Sequence, residues 1–250
     1  MPQQAWYQNW FNSPYYHKLY FERDVQEAED FIKRLIKKLQ PATGSRMLDV
    51  GCGKGRHSIS LSEMDFAVTG IDISLESIQY ATQFENESLE FYQHDMRLPF
   101  RINYYDYVFN FFTSFGYFNT RREHDDTLRT FAGSLKKDGI LVIDYLNVHF
   151  AEENIIHHEE KKVDDTTFTL RRWHDDDHFY KKIIIEDSLL PDQLVFTEKV
   201  AKFTIGDFTE MLSFQGMQVQ EVFGDYNLNK YDLVKAPRLI LIAKKTGFSV

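Results

Sequence analysis

Residues 47–55 read Met-Leu-Asp-Val-Gly-Cys-Gly-Lys-Gly, an apolar run entering a turn with glycine at every second position. Gly51, Gly53 and Gly55 let the backbone take positive φ and come closer to a bound group than a Cβ would allow. An amphipathic stretch with Ile59, Leu61 and Met64 follows, so the turn should open a helix and aim free N–H groups at something anionic. The next strand-like run, 66–71, ends in Asp72, 21 positions after Gly51. An acid at the tip of a second strand can accept hydrogen bonds from ribose hydroxyls. These residue types at this spacing point to a nucleotide-like ligand.

Such a site has to be carried by alternating strands and helices, and the pattern supplies them. Between residues 45 and 146 the reading is strand 46–50, helix 54–64, strand 66–71, helix 74–84, strand 89–93, strand 105–111, helix 121–136 and strand 139–146, with Lys137-Asp138-Gly139 as the turn into the last. Alternation of this kind implies right-handed crossovers and a parallel sheet. Before it, Val25, Ala28, Phe31, Ile32, Leu35, Ile36 and Leu39 recur at spacings of three and four and predict a helix over 24–39, closed by lysines and Pro41. An aromatic segment precedes that helix: Trp6-Tyr7, Trp10-Phe11, Tyr15-Tyr16 and Tyr20-Phe21. Residues 159–204 alternate Thr, Phe, Ile and Val with charge and predict antiparallel strands. Helical spacing returns near 206–215, followed by strands 217–223 and 238–244. The expected organisation is an N-terminal cap (1–40), a ligand-binding core (41–148), an antiparallel insertion serving as lid or dimer contact (149–205) and a closing helix with two strands (206–250).

Composition narrows the partner class. A length of 250 residues suits one α/β domain with an elaboration. The chain has no apolar run long enough for a membrane span and no signal-peptide pattern at its start, and its one cysteine, Cys52, fits a reducing cytoplasm. A net charge of −9 argues against a nucleic-acid partner and for a small-molecule substrate.

A dinucleotide fingerprint requires glycine where this chain has Arg56, and no Lys-Ser/Thr pair makes a P-loop. The stretch 48–56, Leu-Asp-Val-Gly-Cys-Gly-Lys-Gly-Arg, resembles the first motif of the class I S-adenosylmethionine-dependent methyltransferases. Three segments extend the resemblance in order: Gly70-Ile71-Asp72-Ile73-Ser74, His94-Asp95-Met96-Arg97, and 106–118 with its Thr-Ser-Phe-Gly-Tyr-Phe run, which is similar to a bacterial small-molecule subgroup. The resemblance covers 45–148 firmly and the closing strands loosely. It implies a Rossmann-like, mostly parallel seven-stranded sheet with one antiparallel strand, helices on both faces, and the β insertion before the sixth strand.

The resemblance also implies roles. Asp49 would order the glycine turn or reach the donor's ammonium. The amides around Gly51, Cys52 and Gly53 would meet the methionine carboxylate. Asp72 would hold the ribose hydroxyls and Ile73 the adenine face. Asp95 would accept from the adenine amino group, with the Met96 N–H on a ring nitrogen. Asn110 and Phe111 would offer backbone near the methionine portion, and Tyr16 or Tyr20 would close the site.

Methyl transfer from a sulfonium needs in-line approach in a dry site, and a base only if the acceptor arrives protonated. Candidates on the acceptor side are Ser114, His124, Asp144 and Asn147, with Asp144 and Asn147 the best placed for catalysis. Cys52 reads as a small buried residue rather than a nucleophile. The cluster His174-Asp175-Asp176-Asp177-His178 falls between two strand-like runs and reads as a solvated hairpin tip, so no metal is expected, and His157-His158 reads as surface. The alternatives are a nicotinamide-dependent oxidoreductase and a methyltransferase fold that only binds.

Overall fold

The computed structural model describes residues 6–20 and 25–247. Asp24, the expected helix start, and Phe21 lie outside the described residues. The aromatic segment forms two short helices, α1 (Trp6–Phe11) and α2 (Pro14–Leu19). Pro14 opens α2 and the Ser13 hydroxyl accepts the Tyr15 N–H at 3.3 Å. Six residues are too few to display a helical period, which is why the pattern did not reveal them. Helix α3 (Val25–Leu39) buries Ala28, Phe31, Ile32 and Leu35 and leaves its lysines in solvent.

The alternating core is β1 (Arg46–Val50), α4 (Arg56–Ser62), β2 (Ala67–Asp72), α5 (Leu75–Ala81), β3 (Leu89–Gln93), β4 (Tyr105–Asn110), α6 (Arg121–Ser134) and β5 (Leu135–Leu146). There follow α7 (Val148–Glu153), β6 (His158–Val163), β7 (Thr166–His174), β8 (His178–Asp187), β9 (Leu194–Ala201), α8 (Ile205–Ser213), β10 (Met217–Phe223) and β11 (Arg238–Lys245). The main sheet runs β10-β11-β5-β4-β1-β2-β3, with β11 antiparallel to both neighbours and the other described pairs parallel. Successive strand residues serve opposite faces: Leu48 and Val50 pack with α6 and α8, and Met47 with α3 and α4.

Strand β5 departs from expectation. It begins at Leu135, and Lys137-Asp138-Gly139 is a bulge inside the strand rather than the turn into it. Tyr105 faces Leu135 while Tyr107 faces Ile140, and Asp138 takes φ 63°. The chain enters the sheet early because Leu135 is fully buried and Lys136 pairs with Asp106 at 2.7 Å.

Strands β6 to β9 form a separate antiparallel meander. Its inner face, with Phe168, Leu170, Ile183 and Ile185, buries Trp10 of α1 and Leu19 of α2. The second sheet therefore backs the N-terminal helices, and those helices roof the carboxyl ends of β1, β2 and β4.

Candidate active site

A cavity of about 560 Å³ opens at those strand ends, a size suited to a small-molecule ligand. Its floor is the glycine turn. Gly51 takes φ 73°, and a Cβ there would stand 2.7 Å from Ser114 Cβ, so the turn lies flush against the loop after β4. Gly53 has φ 56° with nothing within 4 Å of its absent Cβ, and it is among the residues that line the cavity. A backbone surface without a Cβ lets another group approach closely.

The amides of the turn are less available than expected. Gly51 and Cys52 N–H donate to the Ile71 carbonyl at 2.8 and 3.1 Å, Gly55 N–H to the Cys52 carbonyl at 3.0 Å, and Gly53 N–H to Asp72 Oδ2 at 2.8 Å. A tight turn satisfies its own donors. Positive charge at this end comes instead from Lys54 and Arg56, which both line the cavity. Arg56 also lies with its guanidinium carbon 5.0 Å from the centre of the Phe112 ring.

Asp72 borders the cavity with Ile73, and its Oδ1 accepts the Ser74 N–H at 2.8 Å. Burial pushes its carboxyl above the usual range against the pull of these backbone donors. Asp95 and Met96 line the adjacent wall. Asp95 is held in a fork by Arg97, with Nη2 at 2.7 Å and Nε at 3.1 Å, and Arg97 reaches on to Glu123 at 2.7 Å. Burial works against the Asp95 charge, but Arg97 outweighs it and the carboxyl sits below its usual range. Glu123 completes the capping box of α6 with Thr120, so a helix start fixes this wall.

The roof is aromatic. Tyr7, Phe11, Tyr16 and Tyr20 of the N-terminal segment meet Tyr117 and Phe118 over the opening. Phe11 stands edge-on to Tyr16 at 5.1 Å and to Tyr117 at 5.2 Å. The Ser74 hydroxyl, which caps α5, also donates to the Phe11 carbonyl at 3.0 Å and ties roof to floor. Tyr20 is anchored by Glu198 of β9, whose carboxylate also takes Trp10 Nε1 at 2.7 Å and Lys181 at 2.6 Å. No residue of 149–205 lines the cavity; the insertion backs the roof instead of forming it.

Other expected residues fall behind the walls. Asp49 is 1 % exposed beneath the turn, accepting the Ser58 hydroxyl at 2.6 Å, and burial pushes its carboxyl up to about 6. Asn110 is buried and donates to the Val50 carbonyl at 2.8 Å, while Phe111 reaches the cavity. The Cys52 thiol borders the cavity, but burial and the nearby Asp72 and Asp49 push it well above the range of a nucleophile.

Of the acceptor-side candidates only Ser114 lines the cavity. Asp144, 1 % exposed, is committed to Arg238 at 2.7 Å and to the Phe112 N–H at 2.8 Å. Asn147 spends its amide on the carbonyls of Leu233 and Ala236 at 2.9 and 2.8 Å, pinning the loop before β11. Both sit at the mouth of β5 as expected, but neither lines the cavity; their polar atoms are taken by side chains and backbone of the β10–β11 connection, β11 and the loop after β4. His124 is enclosed by Phe115, Phe118 and Phe203, which hold it neutral with a pKa lowered to about 4 by burial.

His174 to His178 form the β7–β8 tip, where Asp175 accepts the backbone N–H groups of Asp177 and His178. Among the described residues no group of three or more His, Cys, Asp or Glu is arranged to hold a metal ion. No helix there is long and apolar enough to cross a membrane.

Residues at the site that the sequence did not single out include Tyr7, Phe11, Lys54, Arg56, Phe112, Thr113, Tyr117 and Phe118, with Arg97 and Glu198 behind them. Glu198 did leave a trace, since it falls on the inner-face register of β9 between Phe196 and Val200, where an acid must find partners.

Comparison with known proteins identifies the family and the fold. Residues 41–216 match the family described as "Methyltransferase domain". The chain is 31 % identical over 153 residues to a glycine/sarcosine N-methyltransferase of Aphanothece halophytica, covering 54 % of this chain and 57 % of that one. It is 33 % identical over 155 residues to a tRNA U34 carboxymethyltransferase of Geobacter sp. (strain M21), covering 58 % and 46 %. The fold is similar to that of an S-adenosylmethionine-dependent methyltransferase from Clostridium acetobutylicum, with TM-score 0.77, 16 % identity and 93 % and 97 % coverage. The chain spans about half the length of the curated relatives it matches.

Proposed function

The chain belongs to the methyltransferase-domain family, and from that premise we propose that it moves a methyl group from S-adenosylmethionine to nitrogen or oxygen of a small molecule. The observation that carries the reading is the joining of the bare Gly53 surface to Asp72, at the tip of the second strand, on one wall of the cavity. The fit is chemical as well as spatial. Asp72 has acceptor capacity for ribose hydroxyls, Ile73 an apolar face for adenine, and Arg56 with Lys54 a positive pole for the methionine carboxylate. Asp95 and Met96 border the adenine end, and Asp49 acts from below by tying the turn to α4 through Ser58.

The bound donor supplies an electrophilic methyl on a sulfonium. The protein's part is to hold it, exclude water and present the acceptor in line. Exclusion falls to the roof of Tyr7, Phe11, Tyr16, Tyr20, Tyr117 and Phe118. A neutral amine acceptor needs no base, so the site works by positioning. The cavity is not filled from the insertion, which favours an acceptor pocket over a fold that only binds.

A net charge of −9 favours a small acceptor over tRNA. The single buried thiol suits the cytoplasm. The outer face of the second sheet, with Trp173 42 % and Val195 51 % exposed, is where self-association would occur. The test is transfer of label from methyl-labelled S-adenosylmethionine to panels of small amines, small alcohols and bulk tRNA. Label in a small-molecule panel supports the reading, and label in tRNA alone overturns it.

A further inference from the structure

Resting on the methyl-transfer reading, we propose that the Asp144–Arg238 pair is the positioning device of the site, holding the Phe112–Thr113 turn in the shape that forms the cavity wall. Phe112 and Thr113 take φ 57° and 56° in succession. This left-handed conformation is unfavourable for any residue with a Cβ, and most of all for a β-branched one. Both residues line the cavity; neither Asp144 nor Arg238 does. A turn so strained persists only if its surroundings impose it.

The pair imposes it at four points. Asp144 Oδ2 accepts the Phe112 N–H at 2.8 Å, and the Asp144 carbonyl accepts the Thr113 N–H at 2.9 Å. Arg238 Nη2 donates to Thr113 Oγ1 at 3.0 Å, and its guanidinium carbon lies 5.8 Å from the centre of the Phe112 ring. Arg238 in turn is fixed on Asp144 Oδ1 by Nε at 2.8 Å and Nη2 at 2.7 Å, and the Tyr226 hydroxyl donates to Oδ2 at 3.1 Å. Burial lowers and the Asp144 charge raises the Arg238 pKa, with a net rise, so the guanidinium stays charged. The arrangement explains why β11, the antiparallel strand of the main sheet, begins with arginine. Arg238 lies opposite Leu146, two residues past Asp144, and so reaches back across the strand ends to the turn. Asp144 is thus a positioning residue that acts through Phe112 and Thr113.

The test measures S-adenosylhomocysteine affinity by calorimetry, with Tm for each variant. Asp144→Asn and Arg238→Gln each weaken binding at least tenfold. Adding Thr113→Gly to Asp144→Asn restores threefold or more, because glycine takes the left-handed turn without strain. Leu241→Ala, buried in β11 away from the cavity, lowers Tm comparably yet binds within twofold of wild type. A merely structural pair would give Asp144→Asn the behaviour of Leu241→Ala and no glycine rescue, and that result overturns the proposal. If Asp144→Asn does not fold, Thr113→Val, which removes only the Arg238 bond, carries the test; threefold weakening supports the proposal and wild-type affinity overturns it. Absence of binding by the wild type overturns the methyl-transfer reading itself and this proposal with it.

Discussion

Asp72 Oδ2 accepts the Gly53 N–H at 2.8 Å, so the acid at the tip of β2 and the glycine turn after β1 form one rigid unit. The second oxygen takes the Ser74 N–H, also at 2.8 Å, at the start of α5. A single carboxylate therefore shapes the turn, starts a helix and keeps lone pairs toward the cavity.

Asp72→Asn removes this double role, because one amide oxygen cannot replace two carboxylate oxygens. S-adenosylhomocysteine affinity should fall by about 1–3 kcal/mol, the cost of losing a charged hydrogen-bond acceptor. Titration of wild type and variant checks it, and equal affinities would remove Asp72 from the site.

Gly51 and Gly53 should respond differently to alanine. At Gly51 the new Cβ meets Ser114 at 2.7 Å as well as φ 73°, and the loss of stability should be about 2 kcal/mol or more. At Gly53 only the backbone strain applies, since nothing lies within 4 Å, and about 1 kcal/mol is expected. Ligand affinity should reverse the order of effect relative to stability, with Gly53→Ala losing tenfold because its Cβ blocks close approach to that bare backbone. Urea unfolding and calorimetry on both variants decide the matter.

Two buried groups give opposing pH slopes. Asp49, with its carboxyl raised to about 6, keeps its proton in the native state where the unfolded chain has lost it. Stability from this group is full near pH 4 and falls by about 3 kcal/mol as pH rises to 6. His124, lowered to about 4, binds fewer protons when folded. Its contribution is full above about pH 6.5 and falls by about 3 kcal/mol as pH drops to 4. In wild type the two nearly cancel. Asp49→Asn should leave stability rising with pH between 4 and 6.5, and His124→Phe should leave it falling. Urea midpoints at several pH values check both signs.

The anchor of the roof is separable from its walls. Glu198→Gln leaves Lys181 largely buried without its partner and loosens Trp10 and Tyr20. A stability loss of about 3 kcal/mol is expected, together with a red shift of tryptophan emission as Trp10, now fully buried, gains water. Unchanged emission would show that the roof does not depend on the second sheet.

The parallel core was legible because its signals are local. Apolar runs such as 47–50 and 66–71, a glycine turn, and an acid 21 positions on specify β1, β2 and the turn into α4 without distant information. The meander was legible from its period of two, while Tyr16 and Tyr20, which line the cavity, were singled out only through the family resemblance. What failed to show depends on partners far apart in sequence. Asp144 looked like an acceptor-side acid because nothing near it reveals Arg238, 94 residues on. Asn147 looked free because the backbone it pins comes more than 80 residues later. The glycine amides looked available because the Ile71 carbonyl that takes two of them arrives only once β2 pairs with β1. α1 and α2 were hidden by shortness, and the β5 bulge by a Lys-Asp-Gly run that reads as a turn.

The most direct test is calorimetric titration of the wild-type chain with S-adenosylmethionine. One molecule bound per chain in the micromolar range is expected, with affinity reduced in Asp72→Asn. No heat with S-adenosylmethionine, alongside binding of a nicotinamide dinucleotide, would contradict the assignment of the cavity.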